Sequence, residues 1–492
     1  MTVLYQNRQI RELERLAVES GISEYELMCR AGEAAFKALL ARWPEAQEIT
    51  VCCGKGNNGG DGLVLARLAY ENGLKVTVYL AGQRHQLKGA AAQAANACEA
   101  SNLPILPFPE PLLFKGEVIV DALLGSGLSG EVKAPYDHLI AAINQAGQYV
   151  LAIDVPSGIN VDSGEVQGTA VKANLTVTFI APKRGLYTDK APAYCGELIV
   201  DRLGLSESFF RAVFTDTRLL EWKGVFPLLP KRARDAHKGS YGHVLVIGGD
   251  YGMGGAVRMA AEAAARVGAG LVTVATRPEH VPIVSGPRPE LMCHQVAAAD
   301  DLKPLLTAAT VVVIGPGLGK SDWAKSLLNK VLETDLPKVL DADSLNLLAE
   351  SPSQREDWIL TPHPGEASRL LGISCNEVQR DRFQAINDLQ EKYQGVLVLK
   401  GVGTLIKDES QAYYVCPAGN PGMATGGMGD ILSGIIGGLV AQRLSLASAA
   451  QAGVFIHSMA ADRAAEEGGE RGLLATDLFP HLRVLVNLSS KF

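Results

Sequence analysis

The chain has 492 residues and a formal charge of -7, from 46 basic and 53 acidic side chains, and 47% of its residues are hydrophobic. This length is too great for one ordinary core, so two or three domains are expected. The acidic balance argues against a general polyanion-binding protein, and we expect no nucleic-acid partner. Eight cysteines without a C-x-x-C pair predict neither a disulfide scaffold nor a structural zinc site. A polar N-terminus and the lack of long apolar runs predict a cytoplasmic protein with no membrane partner.

Short apolar runs alternate with alanine-rich helical patterns in the first half of the chain. The strand-like runs are ITVCC (49–53), KVTVYL (75–80), EVIVDALL (117–124), YVLAID (149–154), LTVTFIA (175–181) and GELIVD (196–201). Helical patterns lie between them, for example at 63–72 and 88–100. This alternation is typical of a parallel sheet that is covered by helices on both faces.

The alternation stops between residues 205 and 235, where an isolated Trp222, prolines and a basic cluster occur. We therefore predict a first domain over 1–215, a linker over 216–230 and a second domain over 231–492.

A second alternation follows this break. Its strand-like runs are HVLVIGG (243–249), LVTVAT (271–276), TVVVIGPG (310–317), KVLDAD (338–343), WILTPH (358–363) and GVLVLKG (395–401). Helices are predicted at 254–268, 321–333, 364–371, 376–394, 427–441, 446–466 and 476–488. The predicted fold class is therefore α/β, with two doubly wound, three-layer domains.

Glycine-rich and acidic segments follow several strands of the first half. Gly54–Gly62 lies between a strand and a helix, which is a common nucleotide-binding geometry, but it is not the G-x-G-x-x-G of standard dehydrogenases. Asp121 to Glu131 and Asp154 to Gly158 follow later strands. Ligands bind beyond the carboxyl ends of such strands, so these loops are expected to meet in one crevice. The alternative is that the glycines only form turns and that the two aspartates only end strands.

The second half carries a corresponding set of segments. These are Gly248–Ala256, Gly315–Gly319, His363-Pro364-Gly365-Glu366, Lys400–Thr404 and the stretch from Asn420 to Gly434. The last one places glycines directly before Asp430 and an apolar helix, so backbone N–H groups can approach a phosphate there. An aspartate beside a bound phosphate is well placed to act as a base. His363 could instead be structural, and the glycines could be flexible joints.

The first-half motifs, over about residues 9–215, resemble the YjeF N-terminal type of NAD(P)H-hydrate epimerase domain, which has a Rossmann-like fold. The resemblance implies that Asp154 is the acid/base group near C6 of the hydrated nicotinamide. It also implies K⁺ bound by Asn58, Asp121 and Ser157, whose oxygens suit a hard cation. The implied substrate-binding residues are Asn57, Asn58, Gly59, Gly60, Asp61, Gly125, Ser126, Gly127, Leu128, Ser129, Gly130, Glu131, Tyr136 and Asp154.

The second-half motifs, over about residues 230–488, resemble the ribokinase-like superfamily and, within it, the ADP-dependent NAD(P)H-hydrate dehydratases. The resemblance implies that Ala256, Gly317, His363 and Asp430 contact the hydrated nucleotide, with Gly319 as the alternative to Gly317. It implies Asp430 as the catalytic base and Mg²⁺ with ADP as co-substrate. The implied adenine-nucleotide contacts are Lys400, Gly401, Val402, Gly403, Thr404 and Gly429. A helix N-terminus favours an ionised Asp430.

Together these resemblances predict a bifunctional metabolite-repair enzyme that acts on hydrated NADH and NADPH (NADHX and NADPHX). One domain would exchange the R and S forms at C6, and the other would dehydrate the S form as ADP becomes AMP and phosphate. The family suggests a homo-oligomer. Two alternatives remain open, which are a ribokinase-superfamily small-molecule kinase and an N-terminal nucleotide- or RNA-binding module of the type found in RNA-decapping scaffold proteins.

Overall fold

The computed structural model describes residues 1–229 and 231–487. The chain divides into two compact units, Val3–Thr217 and a second unit that starts at Arg218 and includes Met1–Thr2. Pro230 of the predicted linker, and residues 488–492 of the predicted second domain and its last helix, lie outside the described residues. Among the described helices, none has the length and apolar character needed to cross a membrane.

The first unit contains strands that alternate with helices. The strands are β1 (Val3–Leu4), β2 (Glu48–Cys53), β3 (Lys75–Leu80), β4 (Ile105–Pro107), β5 (Val118–Ala122), β6 (Tyr149–Ile153), β7 (Leu175–Phe179) and β8 (Glu197–Asp201). The helices are α1 (Asn7–Glu19), α2 (Glu24–Arg42), α3 (Asn57–Glu71), α4 (Gly89–Ala100), α5 (Tyr136–Gln145), α6 (Pro192–Cys195) and α7 (Glu207–Ala212).

Seven of these strands form one parallel sheet in the order β4-β3-β2-β5-β6-β7-β8. The order reverses direction between β2 and β5, which is the switch point of a Rossmann-like sheet and the usual place for a ligand. The predicted strands of the first half are confirmed, each to within two residues at its ends. Helices α1, α2 and α5 were not predicted. In α1, Ile10, Leu13 and Ala17 are buried at helical spacing.

The second unit has a similar alternation. Its strands are β9 (Thr217–Leu219), β10 (His243–Ile247), β11 (Leu271–Thr276), β12 (Met292–Gln295), β13 (Val311–Ile314), β14 (Lys338–Leu340), β15 (Trp358–Leu360), β16 (Val396–Leu399), β17 (Thr404–Lys407) and β18 (Tyr413–Cys416). Its helices are α8 (Trp222–Val225), α9 (Gly254–Arg266), α10 (Val281–Ser285), α11 (Lys303–Ala308), α12 (Asp322–Leu332), α13 (Asp343–Glu350), α14 (Pro364–Leu371), α15 (Cys375–Arg380), α16 (Arg382–Tyr393), α17 (Met428–Ala441), α18 (Leu446–Gly468) and α19 (Leu478–Leu485).

The main part of the second sheet runs β18-β17-β16-β15-β14-β13-β10-β11-β12. Neighbouring strands in the part β16-β15-β14-β13-β10-β11-β12 are parallel. Strands β17 and β18 extend the sheet beyond β16 with antiparallel pairing. The order reverses between β10 and β13, so this sheet also has a switch point. Its core packs α9, α17 and α18 against the strands.

Two segments of the second half differ from the sequence-based expectation. The segment predicted as a linker, 216–230, carries β9 and α8, and its Leu220 and Val225 are fully buried, because their apolar side chains join the core. The helix predicted at 376–394 is two helices. Asp381 interrupts it, since its extended backbone ends α15 and its carboxylate accepts the Gln384 N–H at the start of α16.

Candidate active sites

Loops at the carboxyl ends of β2, β5, β6 and β7 surround a cavity of ≈ 950 Å³ in the first unit. Most of the substrate-binding residues predicted from sequence line it, namely Asn57, Asn58, Asp61, Gly125, Ser126, Gly127, Leu128, Ser129, Tyr136 and Asp154. Four predicted residues do not. Gly59 and Gly60 are buried in the first turn of α3, and Gly130 and Glu131 are exposed beyond the cavity.

Close backbone packing explains the glycines at this switch point. A Cβ on Gly54 would lie 1.8 Å from the Leu123 carbonyl oxygen, and one on Gly59 would lie 1.8 Å from the Gly54 carbonyl oxygen. A Cβ on Gly125 would lie 2.9 Å from Cβ of Asn58. The loops after β2 and β5 therefore meet only because both lack side chains at these positions.

Asp154 is held by a buried lysine. Lys183 Nζ donates to Asp154 Oδ1 at 2.7 Å, to Thr178 Oγ1 at 2.7 Å and to the Phe179 carbonyl oxygen at 2.9 Å. The Lys183 side chain is 1% exposed and that of Asp154 is 13% exposed. Asp154 has a φ of 64°, an unusual backbone conformation for an aspartate. The ammonium thus fixes one carboxylate oxygen at the cavity wall.

Two further carboxyl groups line the same cavity. Burial raises the pKa of Asp61 well above its usual range, and the charges of Asp154 and Glu14 raise it further. Burial likewise raises the pKa of Glu14, with Asp154 contributing in the same direction. The raised pKa favours the protonated form of Asp61, which lines the same cavity as the lysine-bound Asp154.

The predicted K⁺ ligands form a connected group behind the cavity. Asp121 Oδ1 accepts the Ser157 hydroxyl at 2.6 Å, and Asp121 Oδ2 accepts the Ser157 N–H at 2.8 Å. Ser157 Oγ accepts the Leu124 N–H at 2.8 Å, next to Gly125, on which the Asn58 side chain packs. The Asn58 amide is buried, and neither its oxygen nor its nitrogen has a hydrogen-bond partner. Burial raises the pKa of Asp121 to about 6.

In the second unit, the loops after β10 and β13 pack directly together. Gly249 N–H donates to the Pro316 carbonyl at 3.0 Å, and Asp250 N–H donates to the Gly317 carbonyl at 2.6 Å. A Cβ on Gly317 would lie 3.1 Å from Cβ of Ala256. The two predicted contacts Ala256 and Gly317 are thus neighbours at the switch point. Asp250 is bound by Arg277 and Ser321.

The strands further along this sheet bring charged groups to the start of α17. Lys400 Nζ donates to Asp341 Oδ1 at 2.7 Å and lies 3.8 Å from Glu366 Oε2. A Cβ on Gly429 would lie 3.2 Å from Lys400 Nζ and 3.4 Å from Asp341 Oδ2. Gly429 and Asp430 therefore adjoin this cluster, and Gly427 begins the helix with a φ of 94°, a conformation that favours glycine.

The expectation of a readily ionised Asp430 needs correction. Burial raises the pKa of Asp430 to about 7, with Asp341 adding to the increase and Lys400 opposing it. Burial also raises the pKa of Glu366 to about 7. The helix N-terminus favours the charged form, but burial and neighbouring carboxylates outweigh it here. Asp430 is therefore poised to gain or lose a proton near neutral pH.

His363 lies at the edge of this cluster and begins α14. Its Nδ1 accepts the Gly365 N–H at 3.0 Å, and its backbone N–H donates to Glu366 Oε2 at 2.8 Å. The imidazole is half exposed, and its Nε2 lies 3.4 Å from Glu366 Oε1. Burial lowers the pKa of His363, and the charge of Lys400 lowers it further. The ring is thus neutral and oriented, with one face open to a ligand.

The turn Lys400–Thr404 connects β16 to β17. The buried Arg382 supports it, since its guanidinium donates to the carbonyl oxygens of Leu399 at 3.1 Å and Lys400 at 3.3 Å. Val402 is 61% exposed at its tip. Arg382 therefore fixes the start of the turn, whereas the tip of the turn is accessible.

Two residues of these sites were not predicted from the sequence. Lys183 contacts Asp154 directly, and Asp341 contacts Lys400, which lies beside Asp430. Lys183 follows the end of β7 by four residues, and Asp341 follows β14 directly. Their place beyond strand ends was the available signal, but Asp341 was counted within a strand over 338–343. His457 was also missed. Its ring is buried, its Nε2 has no hydrogen-bond partner, and burial lowers its pKa to about 4.

Comparisons with known families agree with the two units. Residues 24–185 match the family described as YjeF-related protein N-terminus, and residues 244–483 match the family described as NAD(P)H-hydrate dehydratase. Among solved structures, an ADP/ATP-dependent NAD(P)H-hydrate dehydratase from Bacillus subtilis, co-crystallised with ATP/Mg²⁺, is similar. It is 30% identical with a TM-score of 0.51, covering 55% of this chain and 98% of that chain. A Streptococcus mutans protein is 34% identical with a TM-score of 0.51, covering 54% and 98%.

Curated relatives extend over nearly the whole chain. The bifunctional NAD(P)H-hydrate repair enzyme of Escherichia coli (strain K12) is 44% identical, covering 99% of this chain and 94% of the relative. That of Vibrio cholerae is 41% identical, covering 99% and 98%. The expected resemblance and fold class are thereby confirmed, and the chain belongs to the family of bifunctional NAD(P)H-hydrate repair enzymes.

Proposed function

We propose that this chain repairs hydrated NADH and NADPH by two reactions, one in each unit. The second unit, which corresponds to the predicted domain 231–492, dehydrates the S hydrate while ADP becomes AMP and phosphate. The first unit, which corresponds to the predicted domain 1–215, exchanges the R and S forms at C6. The observation that carries the proposal is Asp430, whose pKa is about 7, beside Lys400 and behind a glycine-rich turn at the start of α17.

Dehydration begins with proton transfer to Asp430. Its carboxylate accepts the proton of the C6 hydroxyl as that oxygen attacks the β-phosphorus of ADP, and the bond between the β-phosphorus and the bridging oxygen breaks to release AMP. Phosphate then leaves C6, and loss of the C5 proton restores the ring double bond. Lys400 and the α17 N-terminus would balance phosphate charge, and Ala256, Gly317 and His363 would orient the nicotinamide.

Magnesium fits this site mainly through the nucleotide. Among the described residues no group of three or more His, Cys, Asp or Glu is arranged to hold a metal. Mg²⁺ usually takes one or two carboxylates together with phosphate oxygens, and Glu366 and Asp430 are the available carboxylates. The ion would supply charge neutralisation at the β-phosphate.

Epimerisation at C6 requires the C–O bond to open and then form again on the opposite face. Asp61, whose pKa is raised, would give a proton to the departing oxygen, and Asp154 would accept one from the water that returns. Tyr136 and the loop Gly125–Ser129 would hold the nucleotide. The unpartnered Asn58 oxygen, with Asp121 and Ser157, suits K⁺, which would stabilise the loops around the substrate.

The experiment uses purified full-length chain and hydrated cofactor that contains both epimers. Recovery of the absorbance band of the reduced nicotinamide with ADP and Mg²⁺ supports the proposal, and no recovery with ADP or ATP refutes it. Asp430→Asn should abolish recovery but leave epimer exchange, which chromatography of the two forms measures. Asp154→Asn should do the reverse. Loss of both activities in either folded variant would contradict the division between units.

The same assay separates the alternatives. A small-molecule kinase would consume ATP with a vitamin precursor or sugar and leave the hydrate unchanged. An RNA-binding first unit would give a salt-sensitive gel shift, which we do not expect. A homo-oligomer and a cytoplasmic location belong to the same proposal, and light scattering of the purified chain tests the former.

A further inference from the structure

A second cavity, of ≈ 940 Å³, lies in the second unit between α9, α19 and the segment around Arg288. Four arginines and only one acidic residue line it, namely Arg258, Arg266, Arg288, Arg483 and Glu262. None of the residues assigned above to ADP or the hydrated nucleotide takes part in its lining. This concentration of positive charge stands in a chain whose formal charge is -7.

Glu262 organises the arginines rather than neutralising them. Its side chain is 4% exposed, and its Oε1 accepts Arg288 Nε at 2.6 Å and Arg266 Nη2 at 3.3 Å. Arg258 Nη2 lies 4.0 Å from Oε2. One carboxylate thus lies within ion-pair distance of three guanidiniums, and the side chains of these arginines are 31–37% exposed. Most of their N–H donors therefore remain available to a ligand.

Arg483 completes the ring from α19. In the part of the chain that the structure describes, no carboxylate forms an ion pair with Arg483, and Glu262 is the one acidic residue that lines the cavity. Apolar side chains of Phe479, Pro480 and Val484 form the neighbouring wall. Guanidiniums bind phosphate oxygens in a bidentate manner, and the cavity is large enough for a small molecule.

We propose that this cavity is a binding site for a small phosphate-bearing anion, separate from both candidate active sites. The four guanidiniums bind the phosphate oxygens, and Glu262 holds three of them in place. The apolar wall accepts the uncharged part of a phosphate ester. Helix α9 carries three of the lining residues, and its first turn holds Ala256, so the ligand contacts the same helix as the dehydration site.

Isothermal titration calorimetry of the full chain tests this site, with inorganic phosphate, inorganic pyrophosphate and AMP as separate probes. We expect binding of at least one probe to weaken at least tenfold in the double variant Arg258→Gln/Arg483→Gln, and to weaken with added salt. The control double variant Lys231→Gln/Arg234→Gln removes the same two charges from exposed residues of the same unit and should change nothing. Stronger binding of AMP than of phosphate, where the double variant loses that difference, would assign a role to the apolar wall.

Several results would overturn the proposal. These are no binding of any probe at millimolar concentration, or equal binding by the double variant and the wild type. A third is a change of oligomeric state in the double variant with unchanged anion affinity, which would make this face an interface between copies of the chain. The ADP-dependent dehydration assay, run in parallel, shows whether the double variant is folded and whether the proposed activity fails independently.

Discussion

Replacing Asp341 by asparagine should lower the pKa that controls dehydration. Asp341 raises the pKa of Asp430, and it also occupies Lys400, whose charge lowers that pKa. Asp341→Asn removes the charge that raises the pKa of Asp430, and it frees Lys400, whose charge lowers this pKa. Both changes therefore lower the pKa of Asp430. Two charges about 6 Å apart in a medium of effective dielectric about 20 interact by about 3 kcal/mol, or about two pKa units.

The expected pKa of Asp430 in this variant is therefore about 5 instead of about 7. Because the ionised form is the base, the rate rises with pH through this pKa. At pH 6 the wild type should keep about a tenth of its maximal kcat/KM, whereas the variant should be near its own plateau. The plateau itself can fall, since Lys400 loses its partner, and the position of the acid limb is the diagnostic quantity.

The assay is kcat/KM for ADP-dependent recovery of the reduced nicotinamide, measured from pH 5 to pH 9. Asp335→Asn is the matched control, because it removes the same charge from a fully exposed side chain of the same unit and should not move the limb. An acid limb that stays near 7 in Asp341→Asn, or that moves upward, would refute the assignment of this pKa to Asp430.

Three further predictions concern the first unit. Lys183→Met leaves buried acceptors without their donor and should destabilise the unit by about 3 kcal/mol, seen as a lower midpoint in thermal or urea unfolding, whereas Lys172→Met at an exposed site should change little. Potassium chloride should raise the thermal midpoint of the wild type above its value in sodium chloride, and Asn58→Ala should abolish that difference; equal midpoints of the wild type in both salts would argue against the cation site. Gly54→Ala should lower the thermal midpoint of unfolding and abolish epimer exchange, because its Cβ would meet a backbone oxygen at 1.8 Å, whereas Gly127→Ala, with nothing within 4 Å, should leave the midpoint unchanged; similar midpoints of the two variants would contradict the packing of these loops.

The sheets were predictable because their strands are continuous apolar runs between polar loops. β3 and β11 begin and end where the sequence pattern placed them, since Gly73 and Gly82 lie close to the ends of β3, and Gly270 and Arg277 flank β11. The predicted helix boundaries were wrong where a single side chain caps a helix. Asp381 divides α15 from α16 by capping the second helix, and a single polar residue inside a helical pattern gives little signal of this kind. Helix α1 was not predicted, although Ile10, Leu13 and Ala17 recur at helical spacing and form its buried face.

The site residues were predictable to the extent that they follow strand ends. Asp154 and Asn58 lie where parallel strands converge, so motif and topology agree on them. Lys183 belongs to the same edge, but a lysine beyond a strand is common at protein surfaces, and only its burial shows its role. Asp430 was predicted from its own glycine-rich loop, but its pKa depends on residues that follow other strands and could not be predicted from that loop.

The two carboxylates are controlled by different means, and this difference follows from the reactions proposed for them. Asp154 is fixed in direction, since the Lys183 ammonium holds one of its oxygens, while a second carboxyl group with a raised pKa, Asp61, lines the same cavity. A reversible exchange at C6 needs an acid and a base together, and in the proposed reaction this pair would supply both. Asp430 instead has its proton affinity set near neutrality by burial, by Asp341 and by Lys400. A phosphoryl transfer needs a base that accepts one proton while cations balance the phosphate, and Lys400 supplies one such charge to both the base and the ligand.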